Sequence, residues 1–205
     1  MDDEKVQTKD VKVIILGETG VGKTSIINRF INDEFNPDND IETLGSTFFR
    51  KSIKRQNTVY KLQIWDSIGQ EKYHSITRLF IKGSNIVLLV YSIDSRKSFE
   101  ELNHWLNTLK DILDKNKYIL GIVASKSDLV NEEIVSKNEG EEFAKKTGGI
   151  FRAVSSKENN KSVNLLFDIL IDELSKINFE SRSDSYVLEK KNFLKKKKRS
   201  RCCDK

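Results

Sequence analysis

Residues 17–24 follow the pattern G-x-x-x-x-G-K-[ST], which is typical of loops that bind nucleotide phosphates. In such a loop the glycines let backbone N–H groups point into one concavity, the lysine adds a cation beside the phosphates, and the last hydroxyl ligates Mg²⁺. An apolar run precedes the motif and a helical pattern follows it, so a helix N-terminus adds partial positive charge. The sequence therefore predicts phosphate contacts from Gly20, Val21, Gly22, Lys23, Thr24 and Ser25, with Thr24 also a metal ligand.

Asp66 directly follows an apolar-patterned segment at residues 60–65, and Gly69 comes three residues later. A carboxylate at a strand end beside a phosphate loop can hold Mg²⁺, usually through water. A glycine at position 69 lets a backbone N–H approach the γ-phosphate. The pattern D-x-x-G is a weak signal alone. Its position after a phosphate loop and a hairpin makes Asp66 a candidate metal ligand and Gly69 a candidate phosphate contact.

Another polar group, S-K-S-D at residues 125–128, follows the apolar run at residues 118–124. The Asp128 carboxylate can accept two hydrogen bonds from guanine, whereas adenine offers the wrong donor pattern. The alternative interpretation is an ordinary exposed, charged loop, because such residues are mostly found at protein surfaces.

The elements that must position these groups alternate along the chain. Short runs rich in Val and Ile, at residues 11–16, 86–91 and 118–124, are typical of strands buried on both faces of a parallel sheet. Residues 47–54 and 58–65, separated by a polar stretch, predict a β-hairpin.

Apolar residues at three- and four-residue steps predict one helix between Phe99 and Leu113 and another between Val163 and Ile177. Ser136 and Glu139 predict a capping box at the start of a further helix. We therefore expect an α/β fold with three layers, in which a mostly parallel six-stranded sheet carries helices on both faces.

Charge is unevenly distributed along the 205 residues, whose net charge is +5. Residues 187–205 hold nine Lys or Arg and two Asp or Glu, a net of +7, which leaves the rest of the chain at about −2. The basicity belongs to the tail, so the domain gives no reason to expect nucleic-acid binding. We expect a flexible N-terminus at residues 1–10, one nucleotide-binding domain at residues 11–177 and a flexible basic tail at residues 178–205.

The two cysteines, Cys202 and Cys203, are adjacent and close to the end of the sequence. They cannot form the disulfide framework of a secreted protein. The apolar runs are far too short to span a bilayer, so any membrane attachment must come from the tail.

Several motifs together resemble the Rab family of small GTPases, in the Ras superfamily, over about residues 10–177. Residues 61–66 read K-L-Q-I-W-D, which is the Rab signature letter for letter. Residues 69–73 (G-Q-E-K-Y) are similar to the family's G-Q-E-R-[FY], and residues 155–157 (S-S-K) to its last guanine motif, S-A-K. The pair of cysteines resembles the double-cysteine Rab ending.

The resemblance implies that the protein binds GTP and GDP with Mg²⁺ and hydrolyses GTP slowly. It assigns Thr43 as a Mg²⁺ ligand in the presence of the γ-phosphate and Gln70 as the catalytic group that orients the attacking water. The guanine-binding residues implied by the resemblance and by the Asp128 motif are Phe35, Ser125, Lys126, Asp128, Ser155, Ser156 and Lys157.

Three departures from the family pattern stand out. Position 125 is Ser where most of the superfamily has Asn. An Asn can touch guanine and also tie neighbouring loops together, whereas Ser is too short to do both. Ser67 and Ile68 stand where Rab proteins usually have Thr-Ala, and the branched Ile is expected to restrict the loop beside Gly69. Residues 44–48 (L-G-S-T-F) and 80–83 (F-I-K-G) also differ, and they lie in the surface that partners read.

The tail combines a basic run at residues 195–199 with the cysteine pair. Each cation near an anionic leaflet is worth about 1 kcal/mol, which is too weak alone, whereas two prenyl groups plus charge would anchor firmly. For a bare Lys-rich run, a solvated tail or a nuclear-localisation segment is an equal alternative. The family resemblance favours prenylation of Cys202 and Cys203, because the ending is not C-a-a-X.

We therefore expect a molecular switch that regulates vesicle and membrane traffic from the cytoplasmic face of intracellular membranes and cycles with the cytosol. The implied partners are an exchange factor, a GTPase-activating protein, a GDP-dissociation inhibitor, a prenyltransferase with its escort protein, and effectors. The alternatives are a nucleotide-bound scaffold with little hydrolysis, a Ras- or Rho-type signalling GTPase, and a P-loop kinase. The kinase is disfavoured by the Lys126/Asp128 loop and by the lack of a lid-like Arg cluster.

Overall fold

The computed structural model describes residues 6–35, 47–66, 74–114 and 117–177. Six strands form one sheet in the order β2-β3-β1-β4-β5-β6. Every neighbouring pair is parallel except β2 and β3, which form the predicted antiparallel hairpin. The strands are β1 Gln7–Leu16, β2 Thr47–Arg55, β3 Thr58–Asp66, β4 Ile86–Ser92, β5 Ile119–Ser125 and β6 Ile150–Ala153.

The expected mostly parallel six-stranded sheet is confirmed. The expected flexible N-terminus at residues 1–10 is wrong for residues 7–10, which belong to β1. The reason is a pairing partner that a single sequence does not reveal, because Gln7 to Asp10 align in parallel register with Thr58 to Lys61 of the hairpin. Residues 1–5 and the predicted tail, residues 178–205, lie outside the described residues.

The helices are α1 Lys23–Asn32, α2 His74–Ile81, α3 Arg96–Glu100, α4 Leu102–Ile112, α5 Lys137–Thr147 and α6 Lys161–Lys176. The single helix expected between Phe99 and Leu113 is divided at Glu101 into α3 and α4, and Leu113 lies just beyond α4. The Ser95 side chain accepts a hydrogen bond from the Ser98 backbone and so begins α3 separately. The predicted capping box of Ser136 and Glu139 is confirmed at the start of α5.

Two apolar cores lie on the opposite faces of the sheet. Along β1, Val13 and Ile15 pack toward the core that α1 and α6 cover, whereas Ile14 and Leu16 pack toward the core of α2, α4 and α5. All four side chains are buried, because alternate residues of a strand point to opposite faces and both faces are covered here. The sheet and the helices on its two faces therefore form three layers, as expected.

Gly140 of α5 fills a position where no side chain fits. A Cβ atom at this glycine would lie 2.4 Å from the Tyr91 hydroxyl oxygen and 2.4 Å from Cε2 of Phe151. The Tyr91 hydroxyl is buried and has no hydrogen-bond partner among the described residues. The close approach of α5 to β4 and β6 thus depends on the missing side chain.

We expect Gly140→Ala to lower the free energy of unfolding by about 1–3 kcal/mol, as overpacking does. This sign is opposite to the gain of about 0.5–1 kcal/mol that alanine brings in an ordinary helix. Urea unfolding at saturating GDP measures it. Glu141→Ala, at the exposed neighbouring position, is the control and should change stability by less than about 0.5 kcal/mol. Tyr91→Phe should recover part of the loss, and a stabilising Gly140→Ala would contradict the packing argument.

Candidate functional site

The phosphate loop, residues 17–24, connects β1 to α1 through backbone that only glycine adopts easily. Gly17 has φ 151°, and a Cβ atom there would lie 2.2 Å from the Val90 carbonyl oxygen at the end of β4. Gly22 is the residue before α1 and has left-handed φ 87°, with no side chain to cap the helix. The N-terminus of α1 therefore faces the concavity of the loop without a competing side-chain acceptor at its cap, which suits an anion.

Lys23 is a buried cation at the centre of this loop. Its side chain donates hydrogen bonds to the carbonyl oxygens of Gly17 at 2.9 Å and Glu18 at 2.7 Å. Burial lowers the pKa of Lys23 to about 8, although the charges of Asp66 and Glu18 act in the opposite direction. A phosphate group beside it would supply the negative charge that this buried ammonium lacks.

Asp66 and Thr24 meet at the adjacent end of β3. The Thr24 hydroxyl donates to Asp66 Oδ2 at 2.6 Å, and β3 pairs with β1 so that Asp66 lies opposite Ile15. The Asp66 side chain is fully buried, and its Oδ1 atom has no hydrogen-bond partner among the described residues. Burial raises the pKa of Asp66, while the Thr24 hydrogen bond and the Lys23 charge oppose that shift.

This donor set fits Mg²⁺. A carboxylate oxygen without a partner and a neighbouring hydroxyl are hard oxygen ligands, and Mg²⁺ is commonly held by one or two protein groups together with phosphate oxygens and water. Thr24 would contribute its hydroxyl and Asp66 would contribute its free oxygen. Thr43, the further predicted ligand, lies outside the described residues.

The predicted guanine-binding residues lie at the ends of β5 and β6. The buried Ser155 hydroxyl donates to Asp128 Oδ1 at 2.7 Å and accepts the backbone N–H groups of Lys157 and Glu158. This contact joins the Asp128 loop to the guanine loop, residues 155–157. Lys126 has left-handed φ 56°, and its ammonium lies 3.5 Å from Asp94.

The remaining predicted guanine contacts differ in exposure. Ser156 is buried and Lys157 is exposed. Phe35 is half-buried and lies three residues beyond the end of α1. The structure thus brings the phosphate loop, Asp66 and the guanine loop to the same edge of the sheet, where the parallel strands end.

Ser125 ties loops together. Its side chain is buried, and its hydroxyl oxygen lies 2.6 Å from the Val21 carbonyl and 2.8 Å from the Tyr91 carbonyl. One hydroxyl proton serves both acceptors, so β5 is joined to the phosphate loop and to the end of β4. Ser125 was expected to do only one of two things, tie neighbouring loops together or touch the base. In this geometry it ties the loops. A contact between Ser125 and guanine stays a prediction.

Sequence reasoning missed Arg29, whose side chain bonds the carbonyl oxygens of Ser156 and Lys157. These two acceptors are backbone atoms more than a hundred residues away, so the residue types carry no trace of the two contacts. The one local signal for Arg29 was its i,i+4 spacing to Asp33, with which it forms an ion pair. Gly69 and Gln70 lie outside the described residues, as do Cys202 and Cys203, so their predicted roles remain predictions.

Comparison with known proteins gives one family for this chain. The family model described as Ras family matches residues 12–176. The chain is 36% identical over 174 residues to Ras-related protein Rab-18 of Lymnaea stagnalis, covering 85% of this chain and 84% of that protein. It is 38% identical over 165 residues to RabC of Dictyostelium discoideum, covering 80% and 83% of the two chains. It is 36% identical over 168 residues to human Rab-17, covering 82% and 78%.

We expect Lys23→Ala and Thr24→Asn to weaken GTP binding at least about tenfold, because each removes a charged or metal-linked contact worth about 1.5–3 kcal/mol. Titration with a fluorescent GTP analogue in the presence of Mg²⁺ measures the loss of affinity. Lys110→Ala and Thr108→Asn, on α4, are matched controls and should bind as the unchanged protein does. Undiminished affinity in both site variants would refute the assignment of the phosphate loop.

We expect Ser125→Asn to slow the release of GDP about two- to tenfold, because asparagine adds about one neutral hydrogen bond, and such changes act mainly on the off-rate. Ser125→Ala should speed release, since the Val21 carbonyl loses its donor. Stopped-flow release of a fluorescent GDP analogue measures both rates. Ser84→Ala is the control, because Ser84 is a buried serine whose hydroxyl has no partner among the described residues. Equal or faster release from the asparagine variant would mean that Ser125 already provides what asparagine would add.

Proposed function

Because the chain belongs to the Ras family and is a Rab-type small GTPase, we propose that residues 17–24 and Asp66 form its site for Mg²⁺ and the nucleotide phosphates. The protein is a switch that binds GTP and GDP, hydrolyses GTP and acts in intracellular membrane traffic. One observation carries the proposal. The buried Asp66 holds Thr24 with one carboxylate oxygen, and its other oxygen has no partner among the residues that the structure describes, close to the buried ammonium of Lys23.

Each residue has a distinct part in this site. Lys23 binds and neutralises phosphate charge, and the N-terminus of α1 and its preceding loop contribute backbone N–H groups. Thr24 and Asp66, with Thr43, would hold Mg²⁺, which supplies charge neutralisation at the phosphates when bound. Asp128, oriented by Ser155, would select guanine, and the stem of Lys126 would cover the base.

Hydrolysis would depend on Gln70, which orients the attacking water. No arginine of the described chain has a position that marks it as a donor to the γ-phosphate, so we expect slow turnover unless a partner supplies one. GTP would order the loop of Thr43 and the loop of Gly69, and hydrolysis would release both, so that partners distinguish the two states.

Regulators and effectors would bind a surface made of the loops of Thr43 and Gly69 together with the β2–β3 hairpin. There the ring centres of Phe48 and Trp65 lie 4.8 Å apart, and those of Trp65 and Phe80 lie 5.2 Å apart, with the rings tilted against each other. All three side chains are only partly buried, and Phe48 and Trp65 lie close along the chain to residues 36–46 and 67–73, which hold Thr43 and Gly69. An exchange factor, an activating protein, a GDP-dissociation inhibitor and effectors are the proposed partners.

Membrane attachment would come from the tail. Within the described residues, no helix combines the length and the apolar character that crossing a bilayer needs. Prenyl groups on Cys202 and Cys203, added by a prenyltransferase with an escort protein and supported by the basic run, would hold the protein at the cytoplasmic face of an intracellular membrane. A soluble inhibitor that covers the lipids would allow it to cycle with the cytosol.

We expect Gln70→Leu to leave nucleotide binding unchanged and to slow single-turnover hydrolysis by about 10- to 100-fold, because only the position of the water is lost. Single-turnover phosphate release from preloaded GTP measures the rate. Gln63→Leu, in β3 and away from the nucleotide, is the control. Equal and near-zero rates for the unchanged protein and the Gln70 variant would instead favour the nucleotide-bound scaffold.

We expect replacement of both Cys202 and Cys203 by Ser to release the protein from membranes to the cytosol, while the single replacements give intermediate attachment. Two lipid chains hold far more firmly than one, because each buried methylene adds about 0.8 kcal/mol. Fractionation and imaging of the tagged protein measure the distribution, and Ser200→Ala is the control. An unmodified C-terminus in mass spectra of the native protein would rule out prenylation.

A further inference from the structure

Arg29, near the end of α1, connects two segments that no other described side-chain contact joins. Its Nε atom donates to the Ser156 carbonyl at 2.6 Å, and its Nη2 atom to the Lys157 carbonyl at 3.4 Å. Its Nη1 atom donates to the backbone carbonyl of Asp33 at 3.0 Å and to the carboxylate of Asp33 at 3.2 Å. The arginine side chain is only 12% exposed, whereas the Asp33 carboxylate is 61% exposed. The contact with the Ser156 carbonyl is therefore the most shielded of the four, and the contacts with Lys157 and Asp33 lie at the surface.

The first of these segments is the guanine loop, residues 155–157. Ser155 in this loop holds the Asp128 carboxylate, which is the proposed guanine acceptor. The two carbonyls that Arg29 holds belong to the next two residues. Any displacement of the loop that breaks the Arg29 contacts would therefore also move the hydroxyl that orients Asp128.

The second segment is the turn that ends α1. Asp33 has left-handed φ 58°, and its backbone N–H is bonded to the Arg29 carbonyl. The chain leaves the helix at this turn and leads through Phe35 toward Thr43. We call the stretch from Asp33 to Thr43 the first switch segment. The guanidinium thus lies between the start of this segment and the guanine loop.

The last turn of α1 is fixed from the side of the hairpin. Lys51 donates a hydrogen bond to the Phe30 carbonyl and lies 4.2 Å from the centre of the Phe30 ring. The Phe30 ring stacks on Phe167 of α6 with ring centres 3.6 Å apart. Because the helix itself is held in this way, motion at the Asp33 turn reaches the guanine loop through the Arg29 side chain.

We propose that Arg29 is a positioning residue that couples the start of the first switch segment to the guanine loop, so that its hydrogen bonds must break before the nucleotide leaves. This inference rests on the proposed function of the site. A partner that pulls the chain at Asp33 away from α1 also loosens the loop that orients Asp128. Bound nucleotide, by the same linkage, holds the Asp33 turn in place.

A purely structural role would have a different signature. A basic side chain in the last turn of a helix stabilises it by bonding its carbonyls and by complementing its dipole. Loss of that role would lower stability without altering which base is preferred. Coupling through Ser155 and Asp128 predicts that base preference changes together with the release rate.

The test measures the release of a fluorescent GDP analogue and the affinity ratio of GDP to inosine diphosphate, which lacks one of the two donors that guanine offers Asp128. We expect Arg29→Ala to release GDP about ten- to 150-fold faster, in line with the loss of one hydrogen bond from a charged group. The preference for GDP should fall in the same variant. Arg29→Lys should lie between, because one ammonium can serve only some of the four contacts.

Arg55→Ala is the matched control. Arg55 also joins two elements, since it pairs with Asp168 and Asp172 of α6, but it has no contact with the guanine loop. Its variant should release GDP within about twofold of the unchanged protein and keep the preference for guanine. Unfolding midpoints at saturating GDP show whether stability changes differ between the two arginine variants.

A double-mutant cycle with Asp33→Ala tests the coupling itself. Asp33→Ala should speed release modestly in the unchanged background and have no further effect once Arg29 is alanine. Additive effects, or an Arg29→Ala variant that matches Arg55→Ala in release and base preference, would overturn the inference. If Arg29→Ala does not fold, Arg29→Lys and Asp33→Ala carry the same test. Failure of the unchanged protein to bind GDP would instead refute the proposed function.

Discussion

The hydrogen bond between Thr24 and the buried Asp66 is the interaction on which the rest of this site depends. A carboxylate with no exposed surface is costly unless all its oxygens are satisfied, and within the described part of the chain one oxygen of Asp66 has no hydrogen-bond partner. Lys23 opposes this cost with its charge but is itself buried, which lowers its pKa. A core built for stability alone would hold apolar groups here. Buried charges that only a bound anion and cation complete are typical of a site that binds phosphate and metal.

The apolar cores decide where those polar groups meet. Parallel register places Asp66 opposite Ile15, two residues before the phosphate loop begins. Strand β4 brings the Val90 carbonyl against Gly17, so that no side chain fits at position 17. A slip of β1 by one residue would turn its buried side chains to the wrong cores. The alternation of Val13 to Leu16 between two cores therefore fixes the polar edge as firmly as it fixes the interior.

The parts of the structure that a single sequence predicts are those encoded by neighbouring residues. The phosphate loop, the hairpin and the capping box of Ser136 depend on short-range spacing, and they lie where expected. The break at Glu101 was missed because the apolar spacing continues across it, while the Ser95 cap is a local polar contact. The contacts of Ser125, and those of Arg29 with Ser156 and Lys157, were missed because backbone carbonyls accept them. Any residue supplies such an acceptor, so its identity leaves no pattern.

The contacts of Ser125 and Arg29 with backbone carbonyls also determine how the phosphate side and the guanine side of the site are connected to the surrounding elements. Ser125 joins β5 to the phosphate loop, and Arg29 joins the guanine loop to the turn at Asp33. A neutral hydrogen bond contributes only about 0.5–1.5 kcal/mol, whereas contacts to phosphate charge contribute more. In the proposed site, the phosphate side would therefore supply most of the affinity, and the guanine side would decide which nucleotide stays and how fast it leaves. On this proposal, a partner that breaks a few contacts at the guanine side would change the lifetime of the nucleotide without dismantling the buried charges of Lys23 and Asp66.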